Sequence, residues 1–447
     1  MPHLCCMLTM LLAGFLLHAS ASASSTTLRF NVVDTGTPEA TGTLVEPWQV
    51  VKLDPDYGGQ WVVAGDVDGD GAVEIVSAEN HNEGDVHYTS AVVVHRLDGT
   101  VLWRWGDPGA GGKVWHHDVA CQIHDWDGDG RNEVVVATDG AVVTLDGATG
   151  QGKERFSIPK GASDCLIFCD LSGAGRPTDV LVKNRYEQIW AYDRTGKLLW
   201  TVPRPGGHPT AHQPRPMDID GDGHDEIMAG FALLNADGSV RWALVADEDA
   251  TIDGHLDCAR LMRRGDAPSD TRIAMTFCGG SRIALIDGHG NTIWAVNGHH
   301  FEAFQFGRIF SDVPGDQILV DIDHMPFGES PLWVLDEDGV QRGQIITDFS
   351  RHHRLVDWDG DGCAEIVVGG NLAIYNHEGR RVATLAVPDE FLDKDVETSV
   401  IVGDMTGNGV HDLLVVTPAA VFIFRNENKP APGEAQPLGT GLNVTLY

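Results

Sequence analysis

The chain has 447 residues, with 65 acidic against 31 basic side chains, and a net charge of −34. That excess excludes nucleic acid and anionic membrane surfaces as partners. With 42% hydrophobic residues, the length could fill two or three average domains or one large ring of sheets.

Residues 1–23 read as a signal peptide: an apolar run from Met7 to Leu17, then Ala19-Ser-Ala21 and Ala21-Ser-Ala23 as small-residue cleavage sites, without the usual Lys/Arg ahead of the run. A secreted or periplasmic protein is expected. No later segment approaches twenty apolar residues, so no membrane insertion is expected. Residues 24–59 form an N-terminal segment, 60–430 a repeat array, and 431–447 a C-terminal tail. Of the eight cysteines, six follow the leader, and most read as small hydrophobes on strands.

One acidic phrase then recurs. It reads Asp66, Asp68, Asp70 with Glu74; Asp125, Asp127, Asp129 with Glu133; Asp218, Asp220, Asp222 with Glu226; and Asp357, Asp359, Asp361 with Glu365. Carboxylates at positions 1, 3, 5 and 9, with Gly at the sharp turn, converge oxygen ligands on a hard cation. Four structural calcium sites follow. A fifth copy (Asp404, Thr406, Asn408, Asp412) keeps oxygen ligands with less charge, and Asp170-Leu-Ser172-Gly-Ala174 is a worn copy expected to bind nothing.

Each acidic loop sits between two short apolar strands. A third strand ends in an Asp/Asn-x-Gly turn such as Asp98-Gly99, and a fourth carries Trp, as Trp103, Trp200, Trp242 and Trp294 do. Units begin near residues 60, 117, 163, 211, 255, 302, 352 and 398. This spacing predicts an all-β chain: an eight-bladed β-propeller of four-stranded antiparallel blades with calcium loops, or seven blades if one unit is an insertion. The eighth unit lacks a Trp strand, and Trp48–Leu53 could supply its fourth strand. A monomer is expected.

In such a ring the acidic loops share one face, and the residues entering the innermost strands share the other. The entry segments carry His116 and His117, His212, His255, His300 and His353, and loops reaching the same face add His81, His87, Lys183, Arg185, Tyr186 and His324. Imidazoles supply a base or acid near neutrality, Arg185 can hold a carboxylate in bidentate fashion, and Tyr186 offers a phenol. No Gly-x-Ser-x-Gly elbow is present for acyl transfer. A base, a clamp and an acid suit β-elimination beside a uronic acid carboxylate.

The repeats resemble those of the eight-bladed rhamnogalacturonan lyases. The stretches His117–Gly130, Val182–Tyr186 and Thr210–Pro214 are similar to secreted bacterial relatives of those enzymes, and the plan is similar to propeller lyases that release rhamnose from glucuronate. The resemblance implies a calcium-stabilised polysaccharide lyase acting on an acidic, uronate-containing polysaccharide or oligosaccharide. It implies His117 as base, Arg185 as clamp, and Tyr186 or His81 as acid, with His116 the alternative base. His87, Lys183, His212, His255, His300, His324 and His353 would bind substrate, and one calcium could enter the pocket through Asp118, Asp257 and Glu302. The reading from another class is a non-catalytic, integrin-like propeller that binds glycan or protein through the same face.

Overall fold

A computed structural model describes residues 28–35, 42–59, 61–84, 86–112, 120–245, 254–323, 329–393, 396, 398–430 and 433–446. The proposed leader and the candidates His116, His117, Asp118 and His324 lie outside the described residues. Among the described residues, every sheet strand belongs to one of eight sheets.

Blade 1 comprises Trp61–Gly65, Glu74–Glu83, Val86–Arg96 and Val101–Gly106; blade 2 begins at Cys121–His124, blade 3 at Leu166–Cys169 and blade 4 at Thr210–Met217. Blades 5 to 8 begin at Leu256–Arg263, His300–Gly307, His353–Val356 and Ser399–Gly403. Each blade is an antiparallel meander from the ring axis outward. The eight-bladed count holds. The eighth blade takes its outermost strand from Gln49–Lys52, which pairs antiparallel with Ala420–Phe424 in the register Val50↔Phe422. The ring is thus closed by backbone hydrogen bonds between two distant parts of the chain in one sheet.

Two strands were not anticipated. Phe30–Val33 adds in parallel to the outer edge of blade 6, and Thr43–Val45 does the same on blade 7. Both cover open strand edges, which would otherwise expose unpaired backbone groups.

The Trp and Gly repeats are parts of one inter-blade contact. The indole N–H of Trp103 on blade 1 donates to the Gly147 carbonyl of the next blade at 2.7 Å. Trp200 reaches Ala236 at 2.8 Å, Trp242 reaches Gly288 at 3.0 Å, and Trp294 reaches Glu337 at 2.7 Å. Each indole also lies flat on the turn glycine of the neighbour. A Cβ built on Gly238, whose φ is +82°, would stand 2.8 Å from the Trp200 ring. Blade 2 uses Phe156 against Gly196, and Phe30 of the added strand takes the same place against Gly379.

The segment 438–446 runs inside the ring. Thr440 exchanges hydrogen bonds with Ala64 of blade 1, Val444 with the Gln122 amide of blade 2, and Asn443 with the Phe168 backbone of blade 3. Arg215 of blade 4 donates to Thr445, and Leu446 is fully buried among innermost-strand side chains. The axis is therefore packed at that level and is not an open tunnel. The six cysteines among the described residues are free thiols.

The contact of indole with turn glycine gives a direct test. Gly238→Ala forces a side chain into a left-handed turn, at roughly 1–2 kcal/mol, and into the indole. Trp200→Phe removes one buried hydrogen bond, about 1 kcal/mol. Urea unfolding should show Gly238→Ala as the more destabilised of the two. Equal stability of the two with wild type would mean that the turn and the indole do not bear on each other.

Candidate active site

The innermost strands of blades 4, 5 and 6 do not run in even register. On blade 5 the pairing passes from Leu256↔Phe277 to Ala259↔Met275, and on blade 6 from Phe301↔Ile322 to Phe304↔Val320. Each holds one extra residue, a β-bulge, which re-aims a side chain at the cost of one ladder pair. Blade 4 holds more, since Thr210↔Gly230 is followed by Arg215↔Met228, and Pro214 in that stretch has no N–H to offer. The freed backbone is caught by side chains: Cys258 N–H donates to Thr276 Oγ1 at 3.0 Å and Ala303 N–H to Asp321 Oδ1 at 2.8 Å. The bulges lie at His212, Asp257 and Glu302, near the entry ends of strands whose other ends lead away from this face.

Those side chains meet. His212 Nε2 stands 3.7 Å and His255 Nε2 3.2 Å from Asp257 Oδ1, with the two imidazole centroids 4.5 Å apart. His300 Nε2 lies 3.8 Å from Asp257 Oδ2 and 2.6 Å from Glu302 Oε2. Arg351 pairs with Asp323 and approaches Glu302 at 3.6 Å. Tyr186 stacks on His255 at 4.1 Å, and its Oη lies 3.3 Å from His212 Nε2.

Tyr186 holds a left-handed backbone, φ +69°, unusual for an aromatic residue. The turn is fixed from both sides: Gln188 N–H donates to Asn184 Oδ1 at 2.7 Å, and Thr210 N–H of blade 4 to the Tyr186 carbonyl at 2.9 Å. Strain held in this way is found where a side chain must be aimed. The Arg185 guanidinium lies 4.8 Å from the Tyr186 ring centre and 3.8 Å from Asp164 Oδ1, with about a fifth of its side chain exposed.

Asp164 was not among the residues singled out in the sequence, yet it organises this flank. It is fully buried and pairs with both Lys183 and His87. His87 arrives from the long hairpin of blade 1, whose strands Glu74–Glu83 and Val86–Arg96 outreach those of most other blades. Ser163 Oγ donates to the His87 carbonyl at 2.7 Å and ties the same hairpin down. The signal was positional, because Asp164 occupies in the third unit the entry place that histidines occupy in others.

The structure therefore brings Arg185, Tyr186, His212, His255 and His300 into one group, with His87 and Lys183 buried beneath its Arg185 side. Lys183 has no exposed surface, so its charge serves Asp164 rather than a ligand. His81 stacks on Tyr88 at 4.6 Å with Nδ1 against the Ala110 carbonyl, on the hairpin and apart from the Tyr186 pair. His353, expected to bind substrate, is fully buried, with Nδ1 2.9 Å from the Ser350 carbonyl. Its place is the core, where an imidazole donating to a backbone oxygen is a structural element.

Burial and like charge set the electrostatics. Asp257 and Asp321 are held well above the usual carboxylate range, first by burial and then by the Glu302 charge. The hydrogen bond to Glu302 raises His300. Burial drives His353 down to about 3.

On the opposite face the acidic loops are tightly wound. Asp66 accepts from Gly69 N–H at 2.7 Å and Gly71 N–H at 3.0 Å, Asp70 from Ala72 N–H, and Glu74 from Val67 N–H. Carboxylate oxygens of Asp66, Asp68 and Asp70 lie within 4.8 Å of one another, as do those of Asp125, Asp127 and Glu133, and of Asp218, Asp220 and Glu226. Burial and the nearby Asp68 and Asp70 push Glu74 up to about 7, and Glu226 and Glu365 are raised to the same level. Lys153 and Arg241 lean on two of these loops, at 2.7 Å from Asp127 and 2.8 Å from Asp220.

Residues 53–162 match the family model described as rhamnogalacturonan lyase family 11, C-terminal domain. The resemblance is to the rhamnogalacturonan lyases. The rhamnogalacturonan endolyase YesW of Bacillus subtilis (strain 168) is 28% identical over 320 residues, covering 54% of this chain and 51% of its own. The rhamnogalacturonan exolyase YesX of the same organism is 27% identical over 266 residues, covering 44% and 42%. The chain thus spans about half the length of these rhamnogalacturonan lyases. The fold agrees over more of the chain: the structure of the Bacillus licheniformis rhamnogalacturonan lyase PL11 superposes with a TM-score of 0.60 at 17% identity, covering 84% of this chain and 72% of that one.

The buried imidazole carries a pH prediction. His353 ordinarily titrates near 6.5 and falls to about 3 in the fold, so the unfolded chain binds the extra proton between those values. Stability is then lost as pH falls below about 6.5, at up to about 1.4 kcal/mol per pH unit. Urea unfolding of His353→Gln between pH 6.5 and 5 should show a shallower loss than wild type. Parallel pH slopes would remove His353 from the acid response.

Proposed function

We propose that this chain is a secreted, calcium-stabilised polysaccharide lyase that cleaves a uronate-containing, rhamnogalacturonan-like glycan by β-elimination. The observation that carries the reading is the meeting of Arg185 and Tyr186 with His212 and His255 at the entry face, in a chain whose similar proteins are named rhamnogalacturonan lyases.

The reaction removes the proton on the carbon bearing the uronate carboxylate and breaks the bond to the glycosidic oxygen one carbon further on. A double bond forms between these carbons, and the leaving oxygen takes a proton. Arg185, partly exposed above buried Asp164, is assigned the carboxylate, where it stabilises the charge that develops as the proton departs. Tyr186 is assigned the proton for the leaving oxygen. His117, or its neighbour His116, is assigned the base on the sequence pattern alone. The packed axis supports a substrate lying across the mouth, since a polymer has no tunnel to thread.

The calcium reading rests on the acidic loops. Their carboxylates turn some oxygens to loop N–H groups and gather others within ligand reach of one point. Bound there, calcium would neutralise repulsion that the fold otherwise holds in place, and Asp66, Asp68, Asp70, Glu74 and their counterparts would hold it. In the fifth copy Thr406 Oγ1 is buried with no hydrogen bond and Asp412 is raised to about 6, in keeping with a weaker site of the same kind.

Two measurements check the proposal. Arg185→Ala and Tyr186→Phe should each lower the ultraviolet signal of unsaturated uronate released from rhamnogalacturonan by roughly 10²-fold or more, with thermal midpoints close to wild type. Wild-type protein that binds the polymer yet yields no chromophore would instead support the binding propeller. Separately, chelation should lower the thermal midpoint and added calcium should restore it, each site contributing about 2.7 kcal/mol at a hundredfold excess over its Kd. A midpoint indifferent to chelator would overturn the structural role of calcium.

A further inference from the structure

We propose that His212, His255 and Asp257 bind one divalent transition-metal ion of the zinc class at the mouth of the ring, distinct from the calcium loops. The three ligand atoms come from adjacent blades and lie within 4.8 Å of one another. The two imidazole nitrogens stand 3.7 and 3.2 Å from Asp257 Oδ1. Bonds of about 2.0–2.1 Å in a tetrahedron set neighbouring ligand atoms roughly 3.3 Å apart, so both imidazole nitrogens already stand near ligand spacing from Asp257 Oδ1.

A second observation points the same way. Asp257 is only 2% exposed, yet its Oδ2 makes no hydrogen bond. The orphaned Oδ2 faces His300, the same carboxyl presents Oδ1 to the two imidazoles, and an ion bound at Oδ1 would stabilise the ionised form of this buried group. Two bulged strands deliver these residues at the expense of regular pairing, which a merely structural ion pair does not require.

The donor set decides the class of ion. Two imidazoles and one carboxylate suit zinc, iron or copper, whereas calcium prefers oxygen throughout. This differs from a pocket calcium held by carboxylates, the expectation from sequence. Cys278 and His300 gather on the other side of Asp257, but His300 Nε2 is engaged by Glu302 at 2.6 Å, so the ion belongs on the Oδ1 side. Three protein ligands leave a fourth position, and Tyr186 Oη borders it, 3.3 Å from His212 Nε2. That position faces the residues assigned to the uronate, so a ligand oxygen would complete the shell. This last step alone rests on the lyase reading.

The experiment titrates cobalt(II) into the full chain held in saturating calcium, which occupies the acidic loops. Wild type should develop visible d–d bands of a nitrogen-ligated, low-coordinate ion, saturating at one equivalent and displaced by zinc. His255→Ala and Asp257→Asn should each abolish the bands, while Asp218→Asn, in an acidic loop, should keep them. Thermal midpoints in calcium confirm that each variant is folded; where Asp257→Asn is not, His255→Ala decides. No bands in folded wild type, or bands undiminished in folded His255→Ala, overturns the site. The readout needs no glycan: bands without lyase product leave the metal site standing and remove the lyase, and product without bands does the reverse.

Discussion

The ring depends on one repeated contact, an outer-strand aromatic ring laid on the turn glycine of the next blade. A four-stranded blade alone exposes both apolar faces, and its stability comes from the neighbours on either side. Trp103, Trp200, Trp242 and Trp294 fix the outer radius of that packing through an indole hydrogen bond to a turn carbonyl. The glycine requirement follows, because the turn is left-handed and the indole occupies the space where a Cβ would stand. On blade 6, whose own outer strand lacks the aromatic, the added strand carrying Phe30 supplies it from elsewhere in the chain.

With the blades held at their outer edge and the segment 438–446 packed within, the inner strands can carry irregularity. The bulges of blades 4, 5 and 6 relinquish ladder hydrogen bonds and recover them through Thr276 and Asp321. What they provide is an arc of imidazoles and carboxylates on one side of the mouth. Asp164, Lys183 and His87 give the other side a buried charge network, which is costly to desolvate but sets one arrangement of the loop bearing Arg185 and Tyr186.

The two faces do separate work. Acidic loops lie at one end of the inner strands and the imidazole group at the other, at most about 20 Å apart along the six residues from His212 to Asp218. Metal held in the loops, as proposed, would act on blade geometry and not directly on a substrate. The relatives among the rhamnogalacturonan lyases share this fold over most of the present chain, while sequence likeness covers only about half of their length. The chemistry of this chain must therefore be argued from its own mouth.

Period and local chemistry were legible from residues alone. The acidic phrase, the Asp-x-Gly turn and the Trp strand each obey short-range rules of turn geometry and alternation, so blade number followed from counting. The entry histidines were also visible, because an imidazole at the start of an inner strand must lie near the axis. Tertiary structure alone decided which of them meet. A one-residue bulge turns a side chain to the other face of its sheet, and nothing local distinguishes His212, presented to the mouth, from His353, sealed in the core. The pairing of Asp164 with His87 and the parallel strand at Phe30 are hidden for the same reason: these partners are 77 and 313 residues away, and such contacts exist only once the ring has closed.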